Sequence, residues 1–347
     1  MTAGTDPIDA DLLGALQVSL PFSRRPFEEI GKPLGLSESA TLDRIRALKE
    51  ARIIRQISAI FDTRSLGYAS SLVAARIAPE KLDAAVPIIN SHPGVSHNYL
   101  RNHDFNLWYT IAIPPHSTLG LQGTAKLLHQ LSGAETTRLL PTLKLFKIGV
   151  RFDLGGTSKP ADKTQPAYTE KNRSEQKPLT PTEIEFVRLM QRDIELTTEP
   201  FSAVADQLGI PFEQAAAIHA DFLATGRMRR FAAVLHHRKA GFGANAMGVW
   251  AGPDDDPESL RKLGETMAGF NAVSHCYLRP SYPDWPYNLF TMVHGKSPEE
   301  CEETLAAISR ATGITDRHAL YSTHEFKKVR VRYFTDEETK WEAEHTP

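Results

Sequence analysis

The chain has 347 residues, of which 41% are hydrophobic and 24% charged, and its formal net charge at pH 7 is −2. That length allows two or three domains with cores of their own, and the near balance of charge argues against a protein whose main task is to grip nucleic-acid phosphates. No apolar run is long enough to cross a bilayer, and the acidic start is unlike a signal peptide. Cys276 and Cys301 are the two cysteines and form neither a disulfide framework nor a metal knuckle, so we expect a cytoplasmic protein.

The first half of the chain begins with a helical segment that ends in a strand. Residues 6–17 predict a helix with an acidic start, and residues 25–53 predict two helices joined by a turn at Gly35. Residues 53–61 predict a strand in the position of a wing. This order is typical of a winged helix-turn-helix.

A mixed segment of strands and helices follows. A strand, a helix, two strands, a helix and a strand are predicted in turn over residues 68–78, 79–92, 95–101, 105–113, 117–131 and 142–152. That order is the ferredoxin-like one, βαββαβ, and we expect its last strand to complete the sheet of the first half.

The second half of the chain repeats the first. Three pairs of segments match: 26–36 with 200–210, 52–68 with 227–242, and VSHNYLR at 95–101 with VSHCYLR at 273–279. The polar, aperiodic stretch between the halves has the composition of a linker. We therefore predict an α+β fold built by tandem duplication, in which each half is a winged helix-turn-helix followed by a ferredoxin-like (βαββαβ) domain. The predicted bounds are 6–65 and 66–154 for the two domains of the first half, 155–179 for the linker, and 180–239 and 240–336 for the domains of the second half.

This architecture resembles that of the AsnC / leucine-responsive regulators, so each ferredoxin-like domain is expected to be of AsnC type. A DNA-binding regulator that senses a small effector is therefore one possible function. The second helix of the first motif offers Arg44, Arg46 and Lys49 among acidic neighbours, whereas the corresponding residues 212–226 contain no Lys or Arg and carry Glu213 and Asp221. Because major-groove readers need several basic contacts from two equivalent helices, we expect a scaffold and consider DNA binding unlikely.

The repeated heptapeptides predict a row of polar side chains in each half. Alternate side chains of a strand share a face, so His97, Tyr99 and Arg101 are expected on one face together with Val95. We call these three residues the first row. His275, Tyr277 and Arg279 form the second row. A solvated strand face is the simpler explanation for one row, but two copies with the same residues favour a shared task.

The strands that follow add amides and aromatic rings beside the rows. Asn106 and Trp108 are expected on one face of the first copy, and Asn288 lies at the matching position of the second. Arginine suits carboxylates, aromatic walls suit a flat ligand, and histidine suits proton transfer. The combination predicts a pocket for a planar molecule with several acidic groups, although core packing is an equal alternative for Trp108 and Trp285.

Other candidates lie where the copies differ or carry isolated positive charge. His103 occurs only in the first half, and a proline-rich segment with Trp285 occurs only in the second. A solvated surface role is the alternative for the remaining basic candidates for substrate binding, which are Arg55, Arg229, His237, Lys147 and Lys327. The sequence contains no Gly-rich phosphate loop and no metal-binding motif, so we predict no metal site.

The segments VSHNYLRNHDFNLWYT and VSHCYLRPSYPDWPYNLFTMVHG resemble those of the siroheme decarboxylases, in the form that fuses two units into one chain. The resemblance implies removal of the C12 and C18 acetate carboxyl groups of siroheme, giving didecarboxysiroheme, in d-type heme or alternative heme biosynthesis. It implies no cofactor, because the iron belongs to the substrate and the pyrrole rings can take up electrons.

The resemblance also gives the candidate residues their roles. His97 and His275 are expected to donate protons with help from His103, while Arg101 and Arg279 hold carboxylates. The orienting residues are expected to be Tyr99, Tyr277, Asn106 and Asn288. A tetrapyrrole carrier is a further alternative. Siroheme and its products are the expected partners, with no membrane, and a homo-oligomer, most simply a dimer, is expected because ferredoxin-like sheets of this kind usually pair.

Overall fold

A computed structural model describes residues 6–148, 177–236 and 244–346 of the chain. Its helices are α1 (Pro7–Val18), α2 (Pro26–Gly31), α3 (Glu38–Glu50), α4 (Leu82–Ser91), α5 (Gly120–Ser132), α6 (Pro181–Met190), α7 (Pro200–Leu208), α8 (Phe212–Ala224), α9 (Pro257–Ala268), α10 (Pro298–Thr312) and α11 (Glu337–His345). Its strands are β1 (Ile54–Phe61), β2 (Ala69–Arg76), β3 (Val95–Arg101), β4 (Leu107–Ile113), β5 (Thr136–Leu140), β6 (Lys144–Ile148), β7 (Met228–Leu235), β8 (Ala244–Trp250), β9 (Val273–Leu278), β10 (Leu289–Gly295) and β11 (Arg317–Lys328).

The described residues fall into two compact units that each combine both halves of the chain. The helix-turn-helix unit comprises residues 6–68, 177–236 and 332–335, and the sheet unit comprises residues 69–148, 244–331 and 336–346. Like domains of the two copies therefore fold together. None of the helices in the described ranges has the length and apolar character that a bilayer span requires.

Local sequence signals set the helix ends in the helix-turn-helix unit. The side chain of Ser37 accepts a hydrogen bond from the Ala40 amide at 3.2 Å and caps α3, and Thr180 forms a capping box with Glu183 at the start of α6. Gly35 lies in the predicted turn with φ 70°, a left-handed conformation that glycine adopts without a steric penalty.

The two wings form an antiparallel pair at the centre of this unit. β1 pairs with β7, so that Ile57 lies opposite Ala233. An aromatic cluster forms beside this ribbon, where the Phe22 ring stacks on those of Phe201 at 4.2 Å and His219 at 4.6 Å. The winged motifs thus bury their apolar faces within one shared core.

The sheet unit contains a nine-stranded sheet in the order β5-β2-β4-β3-β11-β8-β10-β9-β6. The predicted α+β class and the repeated order of strands and helices are confirmed. The expectation that residues 142–152 complete the first half is wrong for the described part of that segment: β6 pairs with β9 of the second half, and residues 149–152 lie outside the described residues.

The halves exchange the ends of their last strands. The first part of β11 pairs with β8, where Leu320 lies opposite Met247, and its second part pairs with β3, where Lys328 lies opposite His97. In the first half, β5 pairs with β2 before β6 crosses to β9. Each half therefore contributes a strand end to the other half.

Apolar side chains on the two sheet faces fill separate cores. Val95 and Trp341 belong to the core between the first half's strands and helices, and Val273 belongs to the equivalent core of the second half. A third core gathers side chains from both halves, among them Trp108 and Trp285. Because Trp108 alternates along β4 with residues of the helix-side core, the third core lies on the face away from the helices.

Candidate active site

A bulge at the start of each row strand sets which side chains share a face. The predicted alternation from Val95 onward is wrong at this point, because the pairing of β3 with β4 shifts between Val95 and His97. Val95 consequently lies in the helix-side core, while the Ser96 hydroxyl lies 3.0 Å from His97 Nδ1 and 2.8 Å from Thr110 Oγ1. The bulge gives each row histidine a neighbouring serine as a hydrogen-bond partner, since β9 repeats it against β10.

Along the first row, the three predicted side chains lie together as expected. The rings of His97 and Tyr99 are 6.2 Å apart and nearly parallel, and the Arg101 guanidinium lies 5.8 Å from the Tyr99 ring. Across from them on β11, Glu325 pairs with Tyr99 and Lys328 pairs with His97. These two charged side chains approach each other at 3.5 Å.

Burial and these two charges set the protonation states of the first row. Burial lowers the pKa of His97, and the nearby Lys328 adds to this effect while Glu325 opposes it. Burial and the Glu325 carboxylate together raise the pKa of Tyr99 to about 12. The row therefore presents a neutral imidazole and a neutral phenol near pH 7.

Arg101 is a buried cation without an acidic partner among the residues that the structure describes. Arg101 is only 8% exposed, and its Nη1 donates a hydrogen bond to the carbonyl oxygen of Leu320 at 2.9 Å. Within residues 6–148, 177–236 and 244–346, no carboxylate pairs with it and its Nε has no hydrogen-bond partner. Burial lowers its pKa to about 10. A buried guanidinium without a carboxylate is costly, and a bound anion would compensate it.

The second row repeats this geometry, and the arginine of each row bonds to the backbone of the other half. The rings of His275 and Tyr277 are 6.0 Å apart, and the Arg279 guanidinium lies 4.7 Å from the Tyr277 ring. Arg279 donates to the carbonyl oxygen of Leu140 in the first half, as Arg101 donates to that of Leu320 in the second. Arg101 is therefore held by β11 of the second half, and Arg279 by the end of β5 of the first half.

The surroundings of the two rows differ. Leu145 lies opposite Tyr277, at the position where Glu325 lies opposite Tyr99. Beyond the second row, the Ser274 hydroxyl contacts both His275 Nδ1 at 2.8 Å and His294 Nε2 at 2.7 Å. The first row therefore has charged neighbours on β11, and the second has a second imidazole.

The side chains of Asn106 and Asn288 form hydrogen bonds with backbone groups and not with the rows. Asn106 accepts a hydrogen bond from the Ile77 amide at 3.0 Å and donates to the Ile77 carbonyl oxygen at 2.8 Å. Asn288 makes the same pair of bonds with Gly252. These amides therefore satisfy backbone groups at strand ends, and the expectation that Asn106 and Asn288 orient substrate carboxylates stays a prediction.

Both candidate tryptophans lie in the third core, so the core-packing alternative describes them. Trp108 is 1% exposed and donates from Nε1 to the Phe105 carbonyl oxygen at 2.6 Å. Trp285 is fully buried, and its ring meets that of Trp108 edge-on at 5.2 Å. Neither ring offers an open wall to a ligand in this structure.

The proline-rich loop of the second half fastens onto β5 of the first. Arg138 and Asp284 share two hydrogen bonds of 2.8 Å, and the Tyr282 hydroxyl donates to the Leu139 carbonyl oxygen at 2.6 Å. The Arg138 side chain holds the pKa of Asp284 below its usual value. The divergence of this loop from the first copy thus has a structural explanation.

His103 lies past the arginine end of the first row. Its Nδ1 accepts a hydrogen bond from the Phe105 amide at 3.0 Å, and its ring meets those of Trp285 and His318 edge-on at 5.3 Å each. Burial lowers its pKa, with a further contribution from His318. It lies beside the third core, two residues beyond Arg101.

The remaining predicted cations are placed elsewhere. Lys147 donates to the Phe270 carbonyl oxygen at 2.8 Å, and Lys327 donates to that of Asn90 at 2.6 Å. Both therefore form hydrogen bonds with backbone groups near helix ends. Their expected role in substrate binding stays a prediction. Two further candidates lie in the helix-turn-helix unit, and a third lies outside the described residues; they are Arg55, Arg229 and His237.

Sequence reasoning missed the second set of polar residues around the rows. Ser96 and Ser274 were visible as repeated letters beside each histidine, but simple alternation assigned them to the opposite face. His294 has no histidine counterpart in the first half, and Glu325 lies more than 200 residues from its partner Tyr99. No group of three or more His, Cys, Asp or Glu side chains suited to a metal ion occurs in the described part of the chain.

Comparisons with known proteins agree with this architecture. The family model of the AsnC-like ligand binding domain matches residues 65–147 and 239–327, and that of the siroheme decarboxylase NirDL-like HTH domain matches residues 9–55. A siroheme decarboxylase of Hydrogenobacter thermophilus is 37% identical over 330 residues, which are 95% of this chain and 96% of that protein. The siroheme decarboxylase beta subunit of Methanosarcina barkeri is 46% identical over 151 residues, which are 44% of this chain and 97% of the subunit. A crystal structure of the siroheme decarboxylase NirDL in complex with an iron-uroporphyrin III analogue has a TM-score of 0.78 and 32% identity, covering 97% of this chain and 98% of that one.

Proposed function

The chain belongs to the siroheme decarboxylase family, as a single-chain NirDL-like carboxy-lyase, and we propose that it converts siroheme to didecarboxysiroheme. The reaction removes the C12 and C18 acetate carboxyl groups as carbon dioxide. The product serves d-type heme or alternative heme biosynthesis.

The observation that carries this proposal is the buried guanidinium of Arg101, which has no carboxylate partner among the described residues and lies in one row with the neutral imidazole of His97. Arg101 holds a peripheral carboxylate of the macrocycle, because a charge-assisted pair with an anion offsets the cost of burying the cation. Arg279 lies at the matching position of the second row and holds another. Tyr99 and Tyr277 lie between arginine and histidine in each row and orient the bound edge. A planar substrate with carboxylates around its rim fits this sequence of side chains.

The chemical step depends on proton transfer. A proton adds to a pyrrole carbon, the bond between the acetate methylene and carboxyl carbons breaks, and carbon dioxide leaves while the ring takes up the electron pair. The ring proton is released when a second proton adds to the methylene carbon, which becomes a methyl group. The substrate therefore acts as its own electron sink, no organic cofactor is needed, and the siroheme iron belongs to the substrate.

His97 and His275 are the proposed proton donors. The Nδ1 atom of each lies within 3.0 Å of a serine hydroxyl, and a hydroxyl that donates to Nδ1 leaves the ring proton on Nε2. Burial lowers the pKa of His97, so this imidazole is neutral at rest. It gives the Nε2 proton to the substrate as Nδ1 takes up a proton from solvent through the Ser96 hydroxyl, so that no imidazolate forms. His103, at the arginine end of the first row, remains a candidate for an assisting acid.

One experiment tests this function. The protein is incubated anaerobically with siroheme, and the products are read by mass spectrometry for the loss of one or two carboxyl groups. His97→Ala and His275→Ala should lower turnover by about 10²–10⁴-fold at the step each histidine serves. Full decarboxylation by both variants, with normal folding, would refute the assignment of the histidines.

The same experiment separates the alternatives. A tetrapyrrole carrier would bind siroheme and release no carbon dioxide. A DNA-binding regulator is disfavoured because the basic residues of α3 are already paired: Arg44 contacts Asp9 at 2.7 Å, and Lys49 contacts Asp193 at 2.7 Å. A homodimer of the fused chain remains a prediction, to be measured by light scattering of the purified protein.

A further inference from the structure

Ser274 holds two imidazoles at once. Its Oγ lies 2.8 Å from His275 Nδ1 and 2.7 Å from His294 Nε2, and the Met292 carbonyl oxygen lies farther away at 3.3 Å. All of these groups lie on the neighbouring strands β9 and β10. The described contacts therefore form a chain from a row histidine through a hydroxyl to a second histidine.

The first half has no second imidazole at this place. Ser96 contacts His97 Nδ1 and the hydroxyl of Thr110, which lies opposite His97 on β4. The backbone bond from His294 to Ala272 corresponds to the bond from Ala112 to Gly94, so Ala112 stands where His294 stands in the second half. The two halves hold their row histidines by different means.

A serine hydroxyl has one proton, and this limits how the chain can be arranged. The chain of hydrogen bonds can run from His275 Nδ1 through Ser274 to His294 Nε2, or in the opposite direction. In the opposite direction Ser274 donates to His275 Nδ1 and accepts from His294, whose Nε2 then carries a proton. In that arrangement the ring proton of His275 lies on Nε2. Without His294, the Ser274 proton is free to turn toward the Met292 carbonyl oxygen, and His275 is then no longer confined to one tautomer.

We propose that His294 is a positioning residue of the second half-site, which acts through Ser274 to hold His275 in the tautomer with its proton on Nε2. This inference rests on the proposed function, in which His275 donates a proton to the substrate. It adds a residue that touches neither substrate nor reacting atoms, and it distinguishes the second half-site from the first.

The direct test is the ¹⁵N spectrum of histidine-labelled protein, recorded without substrate. The His275 signals are assigned by their absence in His275→Gln. The wild type should show the shifts of the Nε2–H tautomer, and His294→Ala should move both nitrogen shifts toward a mixture of tautomers. His294→Gln, whose amide can still donate to Ser274, should restore the wild-type shifts. Thr110→Val is the matched control, because it alters the partner of Ser96 and should leave the His275 signals in place.

Turnover of siroheme gives the second readout. His294→Ala should lower kcat by about 10-fold with KM unchanged, as expected for one lost hydrogen bond that acts on the proton donor, and His294→Gln should recover most of it. Ser274→Ala combined with His294→Ala should be no slower than Ser274→Ala alone, because both act through one path. Unchanged His275 shifts in His294→Ala would overturn the inference even in an active enzyme, whereas an inactive wild type with the expected shifts would count against the proposed function only.

Discussion

Arg138 on β5 and Asp284 in the proline-rich loop are joined by two parallel hydrogen bonds of 2.8 Å. The pair links the first half of the chain to the second at a place where their sequences differ most. Trp285, the next residue along the loop, is fully buried in the core that the halves share. The ion pair and the buried ring thus fasten the same loop from both sides.

We expect the ion pair to contribute little to stability on its own. Both side chains are about one third exposed, so a double-mutant cycle of Arg138→Met and Asp284→Asn should give a coupling free energy of about 0.5–1 kcal/mol. Because the Arg138 side chain lowers the pKa of Asp284, this contribution is present above the carboxyl's unfolded pKa and is lost as the pH falls below it. A coupling above about 2 kcal/mol in denaturant unfolding would contradict this expectation.

The buried ring should contribute far more. Trp285→Ala removes a large fully buried side chain and should lower the free energy of unfolding of the sheet unit by about 3–5 kcal/mol. Trp285→Phe should cost less than Trp108→Phe, because Trp108 also donates from Nε1 to the Phe105 carbonyl oxygen, whereas Trp285 Nε1 has no partner among the described residues. Near-ultraviolet circular dichroism during unfolding gives both values, and equal losses in the two Phe variants would rule out the difference.

Arg101 should contribute to substrate binding and add nothing to the free energy of unfolding. Arg101→Met removes a buried cation that has no carboxylate partner in the described residues, so the free energy of unfolding should stay within about 1 kcal/mol of the wild type or rise. The affinity for siroheme, measured by absorbance titration, should fall by about 10–100-fold through loss of a charge-assisted hydrogen bond. A variant that unfolds easily yet binds normally would show that the guanidinium is structural.

Two substitutions on β11 should move the pKa of His97 in opposite directions. Glu325→Gln removes a carboxylate that raises this pKa and should lower it, whereas Lys328→Met removes a cation and should raise it. Glu325→Gln should also lower the pKa of Tyr99 from about 12. Proton NMR titration of the histidine ring and ultraviolet titration of the phenol measure these shifts, and a shift of the same sign in both variants would exclude direct electrostatic coupling.

Glu342 on α11 should make the start of α5 sensitive to acid. Burial alone would raise the pKa of this carboxyl, but hydrogen bonds from Ser117, Thr118 and Leu119 outweigh it and lower the pKa to about 2. The stabilisation is therefore present above the unfolded pKa of about 4.3 and is lost as the pH falls from there toward 2. Glu342→Gln should cost about 1–2 kcal/mol at pH 7, and the difference from the wild type should shrink at acid pH; a difference that does not change with pH would contradict this account.

Sequence patterns predicted the order of elements but not all of their partners. Helical and strand periodicities are local, so the helix-turn-helix motifs and the βαββαβ order could be derived from them. Whether β6 joins β2 or β9 depends on contacts between residues far apart in the chain, and its sequence suits either neighbour. The docking of α11 was missed for the same reason, because Glu342 and Trp341 meet the first half of the chain.

The rows themselves were predictable because two copies carried the same letters at strand spacing. The bulge at Ser96 was not, since an extra residue in a strand leaves no clear mark in its sequence. A common reason also explains why the sequence did not predict the backbone contacts of Asn106, Asn288, Lys147 and Lys327. Polar side chains near strand and helix ends can satisfy backbone groups, and a sequence does not show which of them do.

The exchange of strand ends has a consequence for the protein during its synthesis. When the first half leaves the ribosome, β3 has β4 on one side and nothing on the other, because residues 322–328 have not yet been translated. The growing chain therefore carries an exposed strand edge, bearing His97 and Tyr99, until almost the whole polypeptide has emerged. The matching strand of the second half, β9, meets no such delay, since β6 has already been made when β9 appears. A stalled or truncated product that ends before β11 is thus the species most prone to aggregate, and chaperones that shield strand edges would matter most in that interval.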